Sequence, residues 1–167
     1  MPVIKNWTNG TLTLIDGTGT PVELILLLDQ GDLSYSGLIA GYRSQTRYQR
    51  RGAHVCVQKG ERTYVTGSFS SYLSMWNEAS TGQVAAFVTQ MGKYSGNVST
   101  QGAGSGLPYT IDIKLDIEGT DLGDLADLTM TFADCSVTMG FTEGDPDNLS
   151  FDWECTSIAG DLPVAQT

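Results

Sequence analysis

The chain has 167 residues, of which 40% are hydrophobic and 20 are glycine, and its formal net charge is −10. That length suits one domain able to bury a sizeable core. No run of ~18 apolar residues is present, so no membrane-spanning helix is expected, and the acid excess argues against nucleic-acid binding by phosphate neutralisation.

Met1–Trp7 lacks the charged-then-apolar layout of a signal peptide, which sets an expectation of cytoplasmic synthesis. Strands are expected at Thr11–Ile15 and Val22–Leu28, joined by Asp16-Gly17-Thr18-Gly19-Thr20-Pro21. Leu24–Leu28 is apolar on both faces and predicts a strand covered on both sides. Leu33–Ile39, Ala53–Val57 and Thr63–Leu73 follow as strands. Between them Gly41–Gly52 is polar, aromatic and cationic, the composition of an extended arm or long hairpin rather than of core.

Val84, Phe87, Val88 and Met91 fall at i, i+3, i+4 and i+7, predicting a helix over 81–91 that closes an open face or end of the sheets. Ser80 or Thr81 would cap it and Gly92 end it. Ser95–Pro108, rich in glycine, reads as a flexible surface loop. Strict alternation then returns in four consecutive segments. Ile111, Ile113, Leu115 and Ile117 come first, then Leu128, Met130 and Phe132. Cys135, Val137, Met139 and Phe141 follow, and finally Phe151, Trp153 and Cys155. Each predicts an antiparallel strand with one polar face. The expectation is a mainly β, antiparallel single domain over 1–167, with a 1–10 N-terminal segment, a 41–62 basic arm and a 158–167 C-terminal tail.

The stretch Leu14–Thr20 raises the question of phosphoryl transfer. An aspartyl-phosphate enzyme with Asp16 as its second aspartate would need the nucleophile at Leu14, and the ion-pump form would need lysine at Gly17. The residues are instead turn formers, which makes Asp16 an exposed hairpin-tip residue. The single His54 has no motif around it and no Gly-x-Ser-x-Gly elbow occurs. Cys56, Cys135 and Cys155 are too few and too scattered for a disulfide framework or zinc site, and Cys135 and Cys155 read as buried free thiols. The acidic loops Glu118–Asp127 and Glu143–Asn148 lack the ligand order of calcium loops. No enzyme, cofactor or metal is expected.

Charge is divided along the chain. Arg43, Arg47, Arg50, Arg51, Lys59 and Arg62 are six of the nine basic residues, whereas Asp112–Asp161 carries thirteen acids against Lys114. Two oppositely charged regions suit a head-to-tail contact between copies.

From Ser105 to Thr156 the sequence resembles the tail tube proteins of long, non-contractile-tailed bacteriophages. The resemblance is carried by the Tyr109–Gly119 strand, the Asp121–Asp127 acidic turn, the Phe132–Cys135 turn and Gly144-Asp145-Pro146 before the last strand. Gly31–Tyr35, Gly67–Ser70 and the Val84–Met91 helix fall in the order expected of that family. It implies an antiparallel β-sandwich with one flanking helix, assembling into hexameric rings that stack head to tail round a channel through which DNA passes unbound. It also implies a virion location after assembly in the host cytoplasm, with terminator, tape measure and distal tail proteins as partners. Candidate lumen residues are then Asp112, Asp116, Glu118, Ser68, Ser70, Thr129 and Thr131. Candidate contacts between protomers or rings are Arg43, Arg47, Arg50, Arg51 and Arg62 with Asp121, Asp124, Asp127, Glu143 and Asp145. The other reading is a β-sandwich carbohydrate- or receptor-binding module using Tyr42, Tyr48, Tyr64, Tyr72 and Tyr94.

Overall fold

The computed structural model describes residues 10–26, 33–36, 43–51, 53–62, 64–72, 84–102, 106–117, 127–144, 148–155 and 157–160. Among the described residues the regular structure comprises ten strands, one short α-helix and a 3-10 turn at Gly92–Tyr94: β1 (Gly10–Ile15), β2 (Glu23–Leu26), β3 (Leu33–Ser36), β4 (Arg43–Arg50), β5 (Ala53–Arg62), β6 (Val65–Tyr72), α1 (Val84–Val88), β7 (Ile111–Ile117), β8 (Leu128–Thr142), β9 (Asn148–Cys155) and β10 (Ser157–Gly160). All pairings are antiparallel.

The 15-residue β8 organises the body. Sequence alternation places two strands and a turn here, but the chain runs straight through as one strand with a bulge. Its apolar positions shift phase, from Met130 and Phe132 to Cys135 and Val137, because one extra residue is inserted. Asp134 takes that place with φ 55°, where the register to β7 slips. Before the bulge β8 pairs with β7, continuing a sheet in the order β2-β1-β7-β8; after it β8 pairs with β9, in a sheet of order β8-β9-β6-β3. One strand therefore belongs to both sheets.

Their apolar faces meet in one core of Leu12, Leu14, Ile111, Ile113, Leu115, Met130 and Phe132 from the first sheet and Val65, Phe69, Leu149, Phe151 and Trp153 from the second. Phe132 bridges the two, with ring centroids 4.7 Å from Trp153 and 5.5 Å from Tyr35. The Trp153 indole lies over Gly67, where an added Cβ would overlap the ring and approach the Ser34 carbonyl at 2.6 Å. Glycine is required there by close approach.

α1 packs Val84, Ala85 and Phe87 into this core, and Val88 faces Ile111, Cys135 and Val137 across a small void. It ends at Val88, before the Met91 that the periodicity predicts. Gln90 adopts φ 55°, its N–H reaching the Phe87 carbonyl and the Met91 N–H the Ala86 carbonyl, a Schellman end formed two residues before Gly92. Met91 consequently leaves the apolar stripe and is 62% exposed. The expected caps Ser80 and Thr81 lie outside the described residues. β2 also departs from expectation, because among the described residues it is an edge strand and its Ile25 is 61% exposed rather than covered.

Asp16 is not an exposed tip residue. Only 2% of it is accessible. Its Oδ1 accepts from the Val22 N–H (2.6 Å) and the Thr18 hydroxyl (2.9 Å), and its Oδ2 from the Val98 N–H at 3.4 Å. Gly17 donates to the Val98 carbonyl at 2.8 Å, and a Cβ on it would overlap the Ser99 backbone. The β1–β2 turn is thus bolted to 97–100, and that part of the expected surface loop is fixed, with Asn97 buried.

Candidate functional site

The outer face of the β8-β9-β6-β3 sheet is assembled by register. Ser34, Ser68, Asp152 and Thr138 stand in one row across the four strands, and Ser36, Thr66, Glu154 and Ser136 in the next. Ser70, Ser150 and Gly140 form a third, shorter row. Period-two alternation makes this face, since the residues between these positions supply the core. Ser34 and Ser68 share a hydrogen bond of 2.9 Å, and Ser36 and Thr66 one of 3.4 Å. The face is short-chained, hydroxyl-rich and acidic, and it cups a shallow depression of about 520 Å³. Asp152 and Glu154 are exposed on it, and no cation or large apolar side chain interrupts these rows.

Both margins of this sheet are open among the described residues. β3 pairs only with β6, and β8 beyond Cys135 pairs only with β9. Unpaired N–H and C=O groups at such an edge are a template for another strand. Beside the β8 margin the core is uncovered, with Met139 36% and Phe141 58% exposed.

The residues expected at a lumen divide between the two sheets. Ser68 and Ser70 belong to the face just described. Asp112, Asp116, Thr129 and Thr131 lie on the outer face of the other sheet, and Glu118 is outside the described residues. There the carboxylates are engaged locally: Asp116 accepts from the Thr129 hydroxyl (2.7 Å) and pairs with Lys114 at 2.9 Å. Asp112 accepts the Asp134 N–H at 2.9 Å across the bulge, and Thr100 donates to Asp134 at 2.8 Å. Burial pushes the Asp112 carboxyl above its ordinary range, against the lowering effect of that backbone hydrogen bond. Ser34, Ser36, Thr66, Ser136, Thr138, Asp152 and Glu154 were not singled out by the sequence, although the alternation of Asp152 and Glu154 with Phe151 and Trp153 carries their orientation.

The basic segment is a hairpin of β4 and β5, a separate two-stranded sheet with Arg51 at its turn in a positive-φ conformation of 51°. Arg47 and Arg51 are exposed, as are Tyr48 and Val57; Arg43, Arg50 and Arg62 lie on the strands. Asp127 and Glu143 are exposed just outside opposite ends of β8, so up to ~50 Å of strand separates them. Asp121, Asp124 and Asp145 are outside the described residues. Of the aromatics of the binding-module reading, Tyr94 is buried edge-on against Phe87 at 5.1 Å, Tyr48 lies on β4 and Tyr64 just before β6, whereas Tyr42 is outside the described residues.

No family model and no curated protein matches this sequence. Solved structures do match in shape. A chain of the PVC sheath-tube complex, an extracellular contractile injection system in its extended state, superposes with a TM-score of 0.57 at 9% identity, covering 96% of this chain and 92% of that one. The chain has the fold of an injection-system component. A chain of the anti-feeding prophage baseplate, solved with 6-fold symmetrisation, gives a TM-score of 0.53 at 8% identity and covers 99% of both. The likenesses span nearly all of this chain, so the shared fold takes in both sheets of the body.

Proposed function

We propose that this protein is a non-enzymatic tube subunit that polymerises through the open edges of the β8-β9-β6-β3 sheet. The β8 margin of one copy pairs with the β3 margin of the next, and the Ser/Thr/Asp/Glu face lines the channel. The observation that carries this reading is a polar face bounded on both sides by strand edges that are unpaired among the described residues. Closing the sheets into a ring would pair those edges and cover Phe141. Likeness over nearly the whole chain to a chain of an injection-system sheath-tube complex and to one of a prophage baseplate supports it.

Six copies, the symmetry of the baseplate that shares this fold, would each contribute four strands to the wall. At ~4.8 Å per strand the perimeter is about 115 Å and the diameter about 37 Å before strand tilt widens it. Asp152 and Glu154 would keep that wall negative, so that a passing polyanion such as DNA finds no adhesive site. Asp112, Asp116, Thr129 and Thr131 then belong to the tube exterior. The β4–β5 hairpin, marginal on its own in water, docks its Arg47 and Arg51 against acidic turns such as those at Asp127 or Glu143 of adjoining copies. In a phage such a tube would form in the host cytoplasm and become part of the virion, bounded by terminator, tape measure and distal tail proteins.

The test is placement of one residue. In a Cys56→Ser background, Ser68→Cys labelled with a small gold cluster should put density inside the channel of tubes seen by electron microscopy. Density on the outer wall would overturn the assignment of the face.

A further inference from the structure

Two thiols outside this surface face one another. Ser136 pairs with Glu154 and Ala133 with Ser157 at the same offset, which sets Cys135 opposite Cys155, and the two thiols are in contact. Both side chains are fully buried on the core face, and they are free. Directly opposed residues of antiparallel strands have Cα atoms about 4.5–5.5 Å apart, inside the roughly 4.4–6.8 Å window of disulfides. The position is mechanically central: Cys135 is the last β8 residue paired with β7, at Ile111, and Cys155 is paired with Val65 of β6.

We infer that Cys135 and Cys155 are a cross-strand redox pair, able to close a disulfide that staples β8 to β9 where β8 passes from one sheet to the other. This stands independently of the tube reading. The thiols are not equivalent. The Cys135 thiol is pushed far up by burial and donates to the Phe132 carbonyl at 3.1 Å, whereas its contact with Cys155 draws the Cys155 thiol down. Cys155 is therefore the attacking sulfur and Cys135 the resolving one. With an azodicarboxamide oxidant such as diamide, Cys155 sulfur adds to one nitrogen of the N=N bond while its proton goes to the other. Cys135 sulfur then attacks Cys155 sulfur, the S–S bond forms, the S–N bond breaks, and the Cys135 proton completes the hydrazine that leaves. The azo compound is reduced and the thiol pair oxidised.

The experiment uses the full chain carrying Cys56→Ser, so that only this pair remains. Protein is treated with diamide in the folded state and, separately, refolded from urea with diamide present, which removes any barrier of access. After denaturation and maleimide alkylation, intact mass should show a monomer lighter than the reduced form by two hydrogens and carrying no maleimide. A peptide map should join the segments containing Cys135 and Cys155, and the urea midpoint should rise because the unfolded chain is now looped. Two maleimide adducts on the refolded protein, or disulfides only between chains, would overturn the inference. Cys155→Ala must abolish the effect; persistence of the mass loss in that variant also refutes it.

Discussion

Phe141 offers the sharpest perturbation of the edge-pairing account. It lies beside the open β8 margin and is 58% exposed in the protomer. A phenylalanine buries ~150–250 Å² when enclosed, so about 110 Å² is left for a neighbour to cover. At ~25 cal/mol per Å² that is about 3 kcal/mol, of which truncation to alanine should forfeit about 2 because the β-carbon remains. Phe141→Ala should therefore weaken each contact between copies roughly 30-fold. The protomer itself should lose less than ~1 kcal/mol, since much of the ring is already in water. Pelleting and negative-stain microscopy over a concentration series would give the critical concentration for polymerisation, and urea unfolding of dilute protein the stability. Polymerisation of Phe141→Ala at the wild-type concentration would refute the reasoning, because the β8 margin would then not be an interface.

Other consequences are equally open to measurement. Asp16→Ala leaves the Val22 and Val98 N–H groups without their acceptor and should cost about 3 kcal/mol, while Asp16→Asn, which keeps an oxygen for Val22, should cost less; equal stability of Asp16→Ala and wild type in urea would dismiss Asp16 as the bolt of this turn. Asp112 binds its proton more tightly folded than unfolded, so its contribution is complete below the unfolded pKa near ~3.9 and is lost as pH rises through the folded value. Asp112→Asn should thus gain on wild type as pH climbs from about 4, the more so because the nearby Asp134 carboxylate repels an ionised Asp112; parallel stability–pH curves would contradict this. Reversing Arg47 and Arg51 to glutamate should leave the protomer folded and block tube formation, and normal tubes in micrographs would remove the hairpin from the assembly.

How far the sequence reached follows from physical cause. Alternation is a local property of the backbone, so β7, both halves of β8 and β9 are legible in it. Even the bulge is written there as the phase slip between Phe132 and Cys135, although a slip of one looks the same as a turn until the partner strands are known. The helix end was hidden because Gln90 takes the left-handed position usually given to glycine, at a residue whose amide also reaches the Asn97 carbonyl at 2.8 Å. Asp16 has the composition of a turn but the burial of a core residue, and nothing local announces that 97–100 will close over it. The polar face was only half visible. Ser68 and Ser70 could be named from their strand, but rows such as Ser34–Ser68–Asp152–Thr138 exist only once β3, β6, β9 and β8 are set side by side. Strand order is a tertiary fact.

The central claim is that copies of this chain join edge to edge with the hydroxyl-rich acidic face inward. Cryo-electron microscopy of the concentrated protein tests it directly. The expected result is closed, stacked rings in which β8 of one copy lies beside β3 of the next and Asp152 and Glu154 project into the channel. A protein that stays monomeric when concentrated, or a polymer with those two carboxylates on its outer wall, would contradict it.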